Sequence, residues 1–184
     1  MRVKKLIKVF IWLAVLAIPI FVLVLYATIK TKSTPIDKYQ PYKAWVGKTV
    51  RLNRETTLFK ENLTLNSCYP FLLLDSLHPR WRYAESQLSH PEPDLVRIKT
   101  FPKGTELTFE KAVQYTNGVS GFSSPMLFGV IKDGGKVYKL GYQWGSQSIS
   151  RDFDGIKESW QFHQAPWQEV KDTAYYALPV AKWW

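Results

Sequence analysis

Apolar and polar positions along this chain follow two different rules. From Val9 to Ile29 there is no alternation at all: 21 consecutive residues carry no charge and most are Ile, Leu, Val or Phe. A helix of that length rises about 30 Å, the thickness of a hydrocarbon core. Trp12 and Tyr26 stand near its ends, where amphipathic rings favour the membrane interface, and Pro19 is a kink that membrane helices tolerate. A cleaved signal peptide would have a shorter apolar region ending in small residues, and here Leu25 stands where a small residue is needed before a cut after Ala27. The run therefore predicts an uncleaved anchor over residues 9–29.

Beyond the anchor the pattern shifts to short alternating or apolar runs broken by turn residues. Residues 30–44, KTKSTPIDKYQPYKA, are polar and proline-punctuated and read as a stalk. Strands are expected at Lys48–Asn53, Thr57–Lys60, Leu63–Asn66, Tyr69–Leu74, Leu95–Phe101, Thr105–Tyr115, Met126–Lys132 and Lys136–Trp144. Asp133-Gly134-Gly135 marks a hairpin between the last two, and Asn117-Gly118 another tight turn. Helix signals are fewer. Pro79 opens a short helix with Trp81, Ala84 and Leu88 on one face; Pro166 opens a second, with Trp167, Val170, Ala174, Ala177 and Leu178 on a stripe that Pro179 ends. His90-Pro91-Glu92-Pro93 is an extended linker. The expected fold is mainly β: one transmembrane helix, then a β-rich domain over 45–184 with one or two short helices.

Within residues 101–145, the segment PKGTELTFEKAVQ, a loop, and FGVIKDGGKVYKLGYQWG resemble bacterial SH3-like domains, in which a Gly-Thr pair opens one strand and an Asp-Gly hairpin joins two later ones. The resemblance implies a small β-barrel. Such domains serve cell-wall binding, peptide binding and scaffolding, so it implies no single activity.

Charge changes the picture of partners. The net charge of +10 suggests nucleic acid at first. Its distribution argues otherwise. Arg2, Lys4, Lys5 and Lys8 precede the apolar run, seven more basic residues lie in 30–54 against Asp37 alone, and from Glu55 onward fourteen basic groups meet fourteen acidic ones. The excess flanks the anchor rather than covering a folded face, so the partner is a membrane, through residues 9–29, and not nucleic acid. Four basic groups packed into the first eight residues, on a tail too short to fold, favour a cytoplasmic N-terminus and an exported domain. The expected location is the bacterial inner membrane, single-pass, with residues 45–184 periplasmic or extracellular.

Candidate chemistry is sparse. Cys68 is the single cysteine, so no intramolecular disulfide is possible, and the expectation is a small buried residue. The nucleophile alternative would pair Cys68 with His78, His90 or His163, but no family signature surrounds it. Asp75-x-x-His78 is the one close pair of metal-ligating type, which is too little for a zinc site, and no cofactor motif is present. Gly47-Lys48-Thr49 lacks the earlier glycine of a phosphate loop, and Asp152-x-Asp154-Gly155 lacks the ligands of a calcium loop. The anomaly is aromatic: Trp144, Trp160, Trp167, Tyr175, Tyr176, Trp183 and Trp184 crowd the last 41 residues. They either fill the core of a small domain without disulfides or form a binding surface. As a surface, they would make the chain a non-enzymatic module that binds an envelope protein or the cell wall, an immunity protein against an exported toxin being a narrower form. The alternatives are a divergent Cys68–His enzyme and a structural subunit of a membrane complex.

Overall fold

The computed structural model describes residues 2–179 and 181; for residues 2–7 and 9–11 the backbone alone is described. The first element is one helix, α1 (Arg2–Ile29), whose stretch Trp12–Ile29 is apolar enough to cross a membrane and is not buried by the rest of the protein. The expected apolar run is thus helical, and the helix begins seven residues earlier, through the basic residues.

Among the described residues ten strands and two short helices follow: β1 (Lys32–Pro35), β2 (Thr49–Arg51), β3 (Thr56–Glu61), β4 (Phe71–Leu74), α2 (Trp81–Gln87), β5 (Leu95–Phe101), β6 (Glu106–Thr116), β7 (Ser123–Asp133), β8 (Lys136–Gln143), β9 (Ser146–Gln147), α3 (Ile149–Phe153) and β10 (Trp160–Gln161). Eight strands make one sheet in the order β1-β6-β7-β8-β4-β3-β5, with β2 also on β6; β9 and β10 pair apart from it. All pairs are antiparallel except β4 with β8. Among the described residues β1 and β5 end the strand path and do not pair with each other. Two loop hydrogen bonds, Leu52 N to Thr105 O (2.9 Å) and Gly104 N to Leu52 O (2.7 Å), join the connection after β2 to the one after β5. The expected barrel is therefore corrected: the fold is mainly β, but no closed barrel forms.

The best-read part is β7–β8. The two strands are joined by Gly134 and Gly135 alone, at φ 55° and 75°, and Asp133 pairs with Lys136 across them. Two consecutive left-handed residues match the twist of the flanking strands, which is why glycines stand there. The stalk is corrected too. Lys32–Pro35 pairs with Thr116–Val113 of β6, Ile36 and Tyr42 are fully buried, and Tyr42–Ala44 forms a 3-10 turn. Residues 30–44 belong to the domain.

Two further expectations fail locally. Leu63–Asn66 is a loop, with Leu63 exposed. The helix expected after Pro166 is absent, because other partners take its backbone. Pro166 O accepts from Asn53 N, Gln164 Nε2 donates to Gln168 O and Glu169 O, Asp172 Oδ1 accepts from Ala174 N, and Tyr176 pairs with Trp160. Side chain and strand contacts outcompete a weak helical stripe.

The core has two parts. The larger gathers Tyr42, Phe101, Phe109, Trp144, Phe162 and Trp167 with aliphatic residues from β2, β6, β7 and β8; the smaller packs Phe59, Leu72, Met126 and Phe128 under Ala84 of α2. Backbone approach is tight at Gly129, where an added Cβ would lie 2.3 Å from Thr108 O. Gly129→Ala is therefore expected to lower unfolding stability by about 3 kcal/mol, against about 1 kcal/mol for Gly134→Ala at the open turn, measured by denaturant titration of the full chain in detergent. Equal effects would refute the packing argument.

Candidate functional site

Two places concentrate polar groups. The first centres on a buried carboxylate, with Arg54 and His163 reaching it from the half-buried rim. Asp75 follows β4 and is fully buried. Its Oδ2 accepts from Arg54 Nη1 (3.1 Å) and its Oδ1 from Tyr142 Oη (3.0 Å). Tyr142 Oη is also 2.9 Å from His163 Nε2. Arg54 spans on to Ala165 O (3.4 Å). His78 stacks edge-on against both Tyr142 and His163, with ring centroids 5.1 and 4.8 Å away.

The protons in this network can be placed. Arg80 N, which can only donate, points at His78 Nδ1 (3.0 Å), so the ring proton is on Nε2 and goes to Gln143 O (2.9 Å). His78 is neutral with both nitrogens satisfied, and burial lowers its pKa to about 4. His163 falls to about 3, through burial first and the neighbouring His78, Lys171 and Arg54 after it. Burial raises the Asp75 pKa, while the Tyr142 hydrogen bond and Arg54 pull it back. With donors on both oxygens Asp75 is a carboxylate at neutral pH, so Tyr142 gives it its one proton and His163 Nε2–H donates to Tyr142. The Tyr142 hydroxyl is itself pushed well above its usual range by burial and by Asp75. The result is a one-way chain, His163 to Tyr142 to Asp75, closed by Arg54. It ties the loops after β2 and β4, strand β8 and the segment after β10 into one unit, and that holding role is what its geometry supports.

The second place is open. A cleft of about 490 Å³ lies between the β6–β7 end of the main sheet and the β9–α3–β10 unit. Gln114 and Thr116 line it from β6, Asp152 and Ile156 from α3 and the turn after it, Ser159 and Trp160 from around β10, and Leu178 and Pro179 from the C-terminal segment. Gln114 is 2% exposed; its Nε2 donates to Pro179 O (3.1 Å), which fixes the amide's orientation, and its Oε1 finds no partner among the described residues. A buried carbonyl oxygen left unpaired costs about 1–3 kcal/mol, which an incoming N–H or O–H would return.

The residues expected to bind fall into three groups. Trp144, Trp160 and Trp167 are buried at 0, 3 and 5% exposure and build the core: Trp144 packs against Tyr42, Phe162 and Trp167, and its Nε1 donates to His163 O. Of their two readings, core filling is the one their burial supports. Tyr176 is half-buried and Tyr175 exposed, the latter with the Arg151 guanidinium 4.2 Å from its ring centre. Trp183 and Trp184 lie outside the described residues. Cys68 is exposed on the β3–β4 loop, which corrects the buried reading, and among the described residues no hydrogen bond joins it to a histidine. Among the described residues no three His, Cys, Asp or Glu side chains gather as a metal site. No protein-family model, curated protein or solved structure matches the chain.

Sequence reading flagged Asp75 and His78 as a pair but did not bring Arg54, Tyr142 and His163 to them. Gln114 had no sequence signal, since a glutamine on an alternating strand reads as solvent-facing.

Three outcomes follow from this geometry. Tyr142→Phe leaves Asp75 and His163 short of a partner and is expected to cost about 1–3 kcal/mol in a denaturant titration. Stability falls as pH drops below about 6.5, because both histidines take up protons in the unfolded chain and resist doing so when folded. For His78 the slope is up to about 1.4 kcal/mol per pH unit, continuing until its folded value near 4. Asp75, with its pKa raised in the fold, contributes in the opposite direction as the pH falls through that raised value. A flat profile between pH 7 and 5 would refute the neutral assignment. Cys68→Ser should change the melting temperature negligibly, whereas a loss of stability would mean that the exposed thiol packs against something.

Proposed function

We propose that this protein is a single-pass membrane protein of the bacterial envelope, N-terminus inside, whose β-rich domain is a non-catalytic module that captures an envelope protein or wall component on the outer side. One observation carries the reading: the cleft floored by Gln114, whose buried carbonyl oxygen has no partner among the described residues and so is open to a bound donor. Hydroxyl, carboxylate and amide groups from Thr116, Asp152 and Gln147 share that cleft with Ile156, Leu178 and Pro179. Mixed lining of that kind suits a polypeptide, whose backbone offers N–H donors between apolar side chains. The titratable cluster supports the non-catalytic part, because the Asp75 oxygens, the Tyr142 hydroxyl and both His78 nitrogens are already engaged inside the domain.

The test is a photo-crosslinking residue placed in the full chain in cells, at Ile156 on the cleft and at Val137 on the far hairpin. The expected result is one discrete adduct with an envelope component from position 156, none from 137, and loss of the adduct on Gln114→Met with folding retained. The same adducts from both positions, or an adduct from 156 indifferent to Gln114→Met, would refute the cleft as the recognition site.

A further inference from the structure

The loop joining β6 to β7, Asn117–Phe122, lies against the end of α1. Gly118 makes the contact: an added Cβ would stand 2.2 Å from Thr28 O and 2.6 Å from Ile29 O. Ala27 and Thr28 are accordingly half-covered, whereas the span before them is exposed. The loop is held by its own bonds. Asn117 Oδ1 accepts from Val119 N (2.8 Å) and Ser120 N (3.0 Å), and Asn117 N donates to Phe122 O (2.9 Å). So fixed, it turns Val119 and Phe122 outward at 75% and 65% exposure, and it contains no charged residue.

Whatever lies beside residues 27–29 of a spanning helix is at the boundary between hydrocarbon and headgroups. Apolar side chains held out at that height meet lipid rather than water, and Lys30, with its Nζ 5.8 Å from the Tyr26 ring centre, is placed as interfacial residues commonly are.

We propose that this end of the domain is a bilayer-contact surface, with Val119 and Phe122 inserted into the leaflet from which α1 emerges. The inference rests on reading α1 as a spanning anchor. It goes beyond the anchor in assigning the folded domain its own lipid contact.

The full chain, with Cys68→Ala, is reconstituted in vesicles of phosphatidylcholine and phosphatidylglycerol whose acyl chains carry bromine either near the headgroups or near the bilayer centre. A small fluorescent label is placed singly at Ile20→Cys, Val119→Cys, Phe122→Cys or Val137→Cys. Val137 is exposed at the opposite end of β7 and β8, roughly 30 Å away along the strands. Labels at 119 and 122 are expected to be quenched by headgroup-proximal bromine at least about twofold more than the label at 137, and the label at 20 by central bromine. Quenching at 20 with none above the 137 level at 119 and 122 overturns the surface and leaves the anchor standing. No quenching at 20 removes the anchor, and the inference with it.

Discussion

Two residues, Lys30 and Thr31, separate the end of α1 from the first strand of the sheet. That short connection is the constraint on which the arrangement of the molecule depends. A strand so close to a helix end cannot choose its place in the sheet freely. It takes the edge of β6, which is long enough at eleven residues to pair with β1 at one end and β2 at the other. The pairing draws the β6–β7 loop onto the helix terminus, where only glycine at 118 leaves room for the helix carbonyls. Sequence, local geometry and mounting of the domain are linked through this one contact.

The interior solves a second problem. A domain of this size with one cysteine must hold itself together by burial, and it does so with rings. Tyr42, Trp144, Phe162 and Trp167 meet in edge-on or tilted pairs 4.8–5.7 Å apart, which fill space while offering hydrogen-bonding atoms. Tyr42 Oη donates to Trp144 O and Trp144 Nε1 to His163 O, so the ring cluster leads directly into the Asp75 network. The buried charge of Asp75 is tolerable because Arg54 and Tyr142 face it, and removing either would leave an uncompensated group in the core.

Much of the β framework was legible because its signals are local. Apolar run length revealed α1, two adjacent glycines the β7–β8 turn, and apolar runs between turn residues β3 to β8. What was not legible depends on tertiary competition. KSTP reads as stalk because its four residues have no apolar face, and it becomes a strand only because β6 offers an edge. The stripe after Pro166 reads as helix until Trp167 is taken by the core and Tyr176 by β10. The aromatic cluster was visible as composition, but composition cannot distinguish a core from a surface. Gln114 was invisible for the opposite reason: its position on an alternating strand is ordinary, and only the bond from its amide nitrogen to the Pro179 carbonyl makes its amide oxygen conspicuous.

Mounting without a stalk also sets how far the domain can search. A flexible linker of fifteen residues would let a tethered domain wander by about 20 Å, roughly one further domain radius. With residues 32–35 locked into the sheet, that freedom is gone. On the proposed reading, encounter becomes a two-dimensional process: the cleft sweeps a thin slab above the membrane as the helix diffuses in it. Partners anchored in, or resting on, the same membrane would then be met far more often than partners free in the surrounding volume.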